Sequence, residues 1–177
     1  MDIDETLLHA SETPLEFKHD FIAGQYFVYL RPYLQLFLEF AFQHFDVAVW
    51  TSSNETYANH VVSRVFRDGM SPRFVWSRHR CTTKFDPETW QYDYIKDLKK
   101  VKRKGFPLAS VIMVDNTPKK LRRNYGNLVT VKSFYGDQRD EELLYLMPYL
   151  EELEKVDNIR SVEKRGWSAR QNLSAKG

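Results

Sequence analysis

The chain has 177 residues, enough for one domain with a substantial core, and 42% of them are apolar and 28% charged. A formal net charge of +2 excludes the strongly basic signature of a nucleic-acid or membrane-surface binder, and no apolar run is long enough to span a membrane. The single cysteine, Cys81, excludes an internal disulfide, and with no signal-peptide pattern at the start a reducing compartment is expected.

Asp2-Ile3-Asp4-Glu5-Thr6 opens the chain. Residues i and i+2 at a strand end point the same way, and the step into a loop lets both carboxylates share one pocket. Such a pair suits a divalent-metal site in which one carboxylate attacks and the other handles protons. Taken alone, it reads equally well as a solvated acidic turn.

Leu7 to Gln25 is polar and reads as a loop or loose hairpin, placed to form a flap over that pocket. Tyr26 to Leu30 reads as a strand broken by Arg31-Pro32, with Pro32 suited to a first helical turn. Leu34, Phe37, Leu38 and Ala41 then repeat at helical spacing over 33–45. Asp46 to Trp50 reads as a buried parallel strand, ending in Thr51-Ser52-Ser53-Asn54 before a helix over 55–66. A hydroxyl-rich turn at a helix N-terminus can hold phosphate, although plain capping by Ser53 or Asn54 explains it too.

Phe74 to Ser77 is another short strand, and 78–94 reads as an inserted subdomain of short strands. The spacing predicts a basic helix over 94–101, ended by Gly105 and Pro107. Most lysines in it, and in Lys119 to Arg123, are expected on solvated faces; Lys96 is expected to act on the chemistry instead, so that replacing it damages transition-state stabilisation with little effect on folding, a solvated lysine like Lys99 and Lys100 being the rival reading. Ala109 to Val114 is the clearest buried strand and stops at Asp115-Asn116-Thr117-Pro118. A strand over 127–131 and an amphipathic helix over 140–155 follow. The expected domain is 1–157, followed by a charged tail over 158–177 whose last ten residues are frayed.

Alternating buried strands and helices imply an α/β fold with a parallel sheet covered on both faces, and in such sheets ligands bind beyond the carboxyl ends of the strands. Asp2/Asp4, Thr51/Ser52 and Asp115/Asn116 all fall there. These residues suit phosphoryl transfer. Asp2, the Asp4 carbonyl and Asp115 or Asn116 form an oxygen set matched to Mg²⁺. Asp2 would attack phosphorus, Asp4 would protonate the leaving oxygen and then activate water, Thr51 and Ser52 would donate to phosphate oxygens, and Lys96 would neutralise charge.

In order, Asp2-Ile3-Asp4-Glu5-Thr6, Trp50-Thr51-Ser52, Tyr94-Ile95-Lys96-Asp97-Leu98 and Val114-Asp115-Asn116-Thr117-Pro118 resemble the four motifs of haloacid dehalogenase-superfamily phosphatases. The nearest branch looks like the small C-terminal-domain, or NLI-interacting-factor-like, phosphatases, over roughly residues 1–155. The resemblance implies a Rossmann-like three-layer α/β/α fold with small insertions and no large cap. It implies Mg²⁺-dependent hydrolysis of phosphoserine or phosphothreonine in proteins through an aspartyl-phosphate, in the cytoplasm or a nucleus. It makes Asp2 the nucleophile and Asp4 the acid/base, with Thr51 and Lys96 holding the phosphoryl group. Thr6, Arg31 and Ser52 join them as substrate-binding residues, and Asn116 is the favoured direct metal ligand beside Asp115. The stretch from Trp76 to Trp90 departs from the animal enzymes, and the whole looks more like bacterial members.

Four alternative readings are weaker. A cysteine phosphatase fails because Arg80 precedes Cys81 and Pro87 stands where an arginine is needed. A protein-binding module of the same fold is opposed by the intact set Asp2, Asp4, Thr51, Lys96 and Asp115. A small-molecule phosphatase is disfavoured because the chain has no room for a large cap. Zinc is disfavoured because the five histidines show no ligand spacing with Cys81. Neither nucleic acid nor membrane is an expected partner. In the family resembled, an apolar strand runs into the first aspartate. Only Met1 precedes Asp2 here, so the central strand is expected to be missing, the sequence to begin inside a longer natural protein, and the nucleophile to be poorly held.

Overall fold

The structure is a computed structural model and describes residues 1–169. In chain order, β1 (Leu8–Ser11), β2 (Phe21–Ala23) and β3 (Tyr26–Leu30) precede α1 (Leu34–His44). Next come β4 (Val49–Trp50), α2 (Glu55–Val65) and β5 (Val75–Trp76), then the strands β6 (Thr82–Asp86) and β7 (Gln91–Ile95). The short α3 (Lys99–Lys102), β8 (Met113–Asp115), β9 (Leu128–Thr130) and α4 (Glu142–Glu154) complete the order.

The centre is parallel. Strand β4 pairs with β5, and β8 pairs with β9. Met1 and Asp2 join the two pairs. The Met1 nitrogen donates to the Ala48 carbonyl at 2.8 Å, and Trp50 N–H donates to the Met1 carbonyl at 3.0 Å. On the other side Asp2 N–H donates to the Val114 carbonyl at 2.9 Å. The spatial order is therefore β5, β4, Met1–Asp2, β8, β9. Met1 and Asp2 thus stand in the central place of the sheet and carry hydrogen bonds to both sides.

Side chains alternate across this sheet, as strand geometry requires. Val49, Val114 and Val129 join the larger apolar cluster with Leu34, Phe37 and Leu38 of α1, Val61 of α2 and Leu143, Leu146 and Leu150 of α4. Their neighbours Trp50, Trp76, Met113 and Leu128 face the other way, into a cluster with Leu98, Val101 and Leu121. That gives the three layers expected from sequence. The α4 leucines are almost wholly buried, each contributing about 1.5–3 kcal/mol by the usual transfer scale.

Several elements differ from expectation. The predicted flap is a three-stranded antiparallel sheet, in the order β1-β3-β2. Its register pairs Leu8 with Leu30 and Val28 with Phe21, so the polar stretch carries enough apolar residues on one face to pack. Tyr33, left-handed at φ 63°, separates Pro32 from α1. Residues 78–94 form a turn and a single hairpin, β6/β7. The basic helix predicted over 94–101 is not one: Tyr94 and Ile95 finish β7, and only Lys99–Lys102 is helical. The stretch 158–169, expected as part of a tail, packs on the core; Trp167 stacks on Tyr149 at 5.2 Å and donates to the Thr130 carbonyl at 2.7 Å. Most of the end expected to fray lies outside the described residues.

Candidate active site

The carboxyl ends of the central strands converge on Asp2, which is fully buried. Ile3 N–H donates to its Oδ1 at 2.8 Å, fixing the carboxylate against its own backbone. Its Oδ2 receives two ammonium groups, Lys96 Nζ at 2.9 Å and Lys120 Nζ at 3.1 Å. Burial pushes this carboxyl up, but the two ammonium charges and the Ile3 N–H outweigh it and hold it at about 2. Asp2 is thus an ionised carboxylate at neutral pH, the form an oxygen nucleophile needs.

Lys96 sits at the end of β7 with no exposed side-chain surface and is shared with Asp115, whose Oδ2 lies 2.6 Å from Nζ. Thr117 N–H donates to Asp115 Oδ1 at 2.8 Å. Burial and the charge of Asp2 both push the Asp115 carboxyl up. Lys96 is therefore not a solvated helix-face lysine. It is the counter-charge between two buried carboxylates.

Asp4, two residues on and half-buried, is held by three hydroxyls from one turn of chain. Thr51 Oγ1 and Ser53 Oγ donate to its Oδ2 at 3.1 and 2.7 Å, and Tyr57 OH donates to Oδ1 at 2.7 Å. Asn54 caps α2 through Tyr57 N–H at 2.8 Å. The cap and the Asp4 contacts hence use different residues of the hydroxyl-rich turn: capping falls to Asn54, and Thr51 and Ser53 face Asp4. Between the aspartates' loop and α1, Glu5 adopts a left-handed φ of 53°. Burial, reinforced by Asp4, pushes its carboxyl up to about 7.

The remaining candidates separate. Thr6 is buried and accepts from Asn116 N–H at 3.2 Å while donating to Asn116 Oδ1 at 3.3 Å, which ties the first loop to the last. Ser52 is half-buried, with Arg78 Nε donating to its carbonyl at 2.7 Å. Arg31 does not reach the cleft. It is 1% exposed, forms a two-pronged ion pair with Asp140 at 2.7 and 2.9 Å, and donates to the Thr6 carbonyl at 2.9 Å. Its role is to brace the loop that carries Thr6, so it is withdrawn as a substrate-binding residue.

Sequence reading missed Ser53, Tyr57 and Lys120. Tyr57 reads as an apolar-side helix residue, and only its place in the first turn after Asn54 hints that its hydroxyl can turn back to the site. Lys120 hides in a basic run whose other members, Lys119, Arg122 and Arg123, pair with Asp93 and Asp97 instead. Cys81 is buried and its thiol is pushed up by that burial, in keeping with an inert small residue.

Among the described residues, no three His, Cys, Asp or Glu side chains form a metal cage. Mg²⁺ needs no such cage, because it keeps several waters and takes one or two carboxylates. The oxygen donors suit it. Asp115 is committed to Lys96 and Thr117. Asn116 Oδ1 receives only two long hydroxyl contacts, both at 3.3 Å, and its amide is oriented by Nδ2 donating to Ser133 Oγ at 3.0 Å.

Comparison with known proteins agrees with this geometry. The family model described as NLI interacting factor-like phosphatase matches residues 1–160. CTD small phosphatase-like protein 2 of Dictyostelium discoideum is 30% identical over 90% of this chain and 28% of its own length. CTD nuclear envelope phosphatase 1 of Xenopus tropicalis is 31% identical over 93% of this chain and 70% of its own length. CTD small phosphatase-like protein of Homo sapiens is 32% identical over 93% of this chain and 59% of its own length. The chain thus spans from about a quarter to about two thirds of these relatives. The solved structure of Fcp1, an essential RNA polymerase II CTD phosphatase, superposes over 99% of this chain and 64% of its own with a TM-score of 0.66, at 15% identity, a likeness of fold. The expected likeness to bacterial members finds no support in these relatives.

Proposed function

The chain belongs to the NLI interacting factor-like phosphatase family, phosphoric monoester hydrolases of the haloacid dehalogenase superfamily, and on that premise we propose that it hydrolyses phosphoserine or phosphothreonine esters of proteins through an aspartyl-phosphate on Asp2. The observation that carries this reading is the Asp2 carboxylate, kept ionised in a buried site by two ammonium groups.

The Asp2 carboxylate attacks phosphorus and the ester oxygen departs with a proton. Asp4 is the donor in that step and, as a carboxylate, takes a proton from the water that cleaves the aspartyl-phosphate. The three hydroxyls bonded to Asp4 describe its carboxylate form. The acid form requires one of them to turn its proton away. Lys96 balances charge at Asp2 while leaving group and water exchange. Asp2, the Asp4 carbonyl and Asn116 would hold Mg²⁺, which when bound supplies positive charge against the phosphoryl oxygens.

A protein substrate is favoured over a small metabolite by the lack of a large cap among the described residues. The β6/β7 hairpin beside the site leaves Phe85, Trp90 and Tyr92 exposed, a surface suited to an extended chain. The names of the relatives point the same way. Among the described residues no helix is long and apolar enough to cross a membrane. The single buried thiol supports a reducing location, cytoplasm or nucleus.

The test is turnover of an aryl phosphate with and without Mg²⁺, and of phosphoserine peptides against sugar phosphates. Asp2→Asn is expected to abolish turnover while the protein still melts cooperatively. Normal turnover by folded Asp2→Asn removes the mechanism.

A further inference from the structure

Two lysines reach the same oxygen of Asp2, and they are held very differently. Lys96 Nζ is buried and divided between Asp2 and Asp115, at 2.9 and 2.6 Å. Lys120 Nζ bonds Asp2 at 3.1 Å, and its side chain keeps 22% of its surface exposed. Its backbone is fixed. It lies on the 3₁₀ turn Pro118–Leu121, rooted by Leu121, which is wholly buried. Lys120 N–H donates to the Thr117 carbonyl at 3.1 Å, and its carbonyl accepts from Lys96 N–H at 2.8 Å. That last bond ties the two lysines into one unit. The neighbour Lys119 points outward instead, to Asp93 at 2.9 Å and Asp86 at 3.4 Å on the hairpin.

We propose that Lys120 is a second phosphoryl-binding lysine: when a phosphomonoester enters, its ammonium moves from Asp2 to a terminal phosphoryl oxygen, while Lys96 stays with the carboxylates. This rests on the phosphatase reading above. The division of labour follows from desolvation. Moving Lys96 would leave Asp115 buried without the ammonium that now faces it at 2.6 Å, which is costly. Moving Lys120 strands nothing, because Asp2 keeps Lys96 and the Ile3 N–H. The alternative is that Lys120 serves only to keep Asp2 ionised, with no contact to substrate.

The experiment compares wild type, Lys120→Met, Lys120→Gln, Lys120→Arg and the exposed Lys102→Met, using an aryl phosphate for kinetics and inorganic phosphate as inhibitor. Lys120→Met is expected to lower kcat/KM by ~10²-fold, the usual cost of one lost transition-state donor. Inhibition by inorganic phosphate should weaken by roughly tenfold or more, as for a lost hydrogen bond between charged groups. Lys120→Arg should recover much of the phosphate affinity, and Lys102→Met should match wild type. Lys120→Gln gives the same reading should the methionine variant fail to fold. Wild-type phosphate inhibition in folded Lys120→Met or Lys120→Gln overturns the proposal, even where kcat falls. Wild type without Mg²⁺-dependent turnover would sink the phosphatase reading instead. Calorimetric titration with inorganic phosphate and Mg²⁺ then decides Lys120 by itself: weaker binding to the variants supports it as an anion-holding residue, and equal binding removes it.

Discussion

The two ends of the central sheet are built on opposite terms. At the carboxyl end, Asp2, Asp115 and Lys96 are wholly buried and each is bonded to another charge. At the amino end, before Val49 and Met113, a cavity of about 470 Å³ is lined by apolar groups including Met1, Phe45, Val47, Phe106 and Ile112. Met1–Asp2 borders both. The contrast shows where the precision of the site comes from. Asp2 is held by charge matching and by three backbone bonds of the Met1–Asp2 segment, not by dense packing behind it. One end is held by electrostatics that fail when a single charge is removed, and the other has space to absorb added volume.

The sharpest way to break this comparison is Lys96→Ala. It leaves Asp115 buried without its counter-charge while Asp2 keeps Lys120 and the Ile3 N–H, and breaking a buried pair in this way costs about 3–5 kcal/mol. For a chain of this size that is ~10 °C or more in Tm. Lys99→Ala, on the exposed face of α3, should fall within about 0.5 kcal/mol of wild type. Thermal melts decide it. Equal melting of the two variants would mean that charge matching does not hold the carboxyl end together.

Asp4→Asn is expected to act on rate and much less on folding, because Asp4 is half-buried and bonded to neutral hydroxyls. Lost acid-base catalysis costs ~10²- to 10⁴-fold. Aryl phosphates with good leaving groups should suffer least in the first step. A loss that is the same across leaving groups of very different pKa would assign the proton transfer to another residue.

This division also explains what could be read from sequence. The layers were legible because β4, β5, β8 and β9 are short apolar runs whose neighbours alternate between two cores. The site's backbone was legible because Asp2, Asp4, Thr51 and Asp115 stand at strand ends. Lys96 lies beside Asp2, but not on the helix that its spacing suggests. Helical spacing of lysines over 94–101 suggests a solvated face, whereas pairing with β6 carries the chain through Ile95 and drops Lys96 into the buried end. Arg31 was misassigned because sequence cannot show that Asp140, more than a hundred residues away, occupies its guanidinium. Lys120 and Tyr57 were missed for the same reason, since their partners Asp2 and Asp4 are remote in sequence.

A smaller effect tests the charge balance at its rim. Glu5 is half-buried beside Asp4, and its carboxyl is pushed from its ordinary 4.5 to about 7. The folded metal-free protein therefore binds a proton there that the unfolded chain releases between those values. Stability must fall as pH rises through this window, with the penalty absent below about 4.5 and complete above about 7. Allowing for solvent screening at a partly exposed group, it amounts to about 1 kcal/mol. Glu5→Gln should thus melt higher than wild type at pH 8 and show no such gain near pH 4.5. A gain that is equal at both values would trace to something other than ionisation of Glu5.

The smallest effect probes the other end. Ala48 lines the cavity, half-buried, with its carbonyl already bonded to the Met1 nitrogen. Ala48→Val adds two methyl carbons on a strand-like backbone that favours β-branching. Filling existing space of this kind gives about 0.5–1 kcal/mol, or roughly 1–4 °C in Tm. Val129→Ile adds one carbon on β9, where Val129 has no exposed surface and lies outside the cavity lining. There the added carbon must displace packed neighbours, at a cost of about 1 kcal/mol or more. The two substitutions should therefore move Tm in opposite directions. Turnover should be unchanged in Ala48→Val, because the bonds that hold Asp2 in place are backbone bonds, the one to the Ala48 carbonyl included, and the substitution keeps them. If both variants lose stability, the amino end is as tightly packed as the rest of the core, and the contrast between the two ends reduces to their charge.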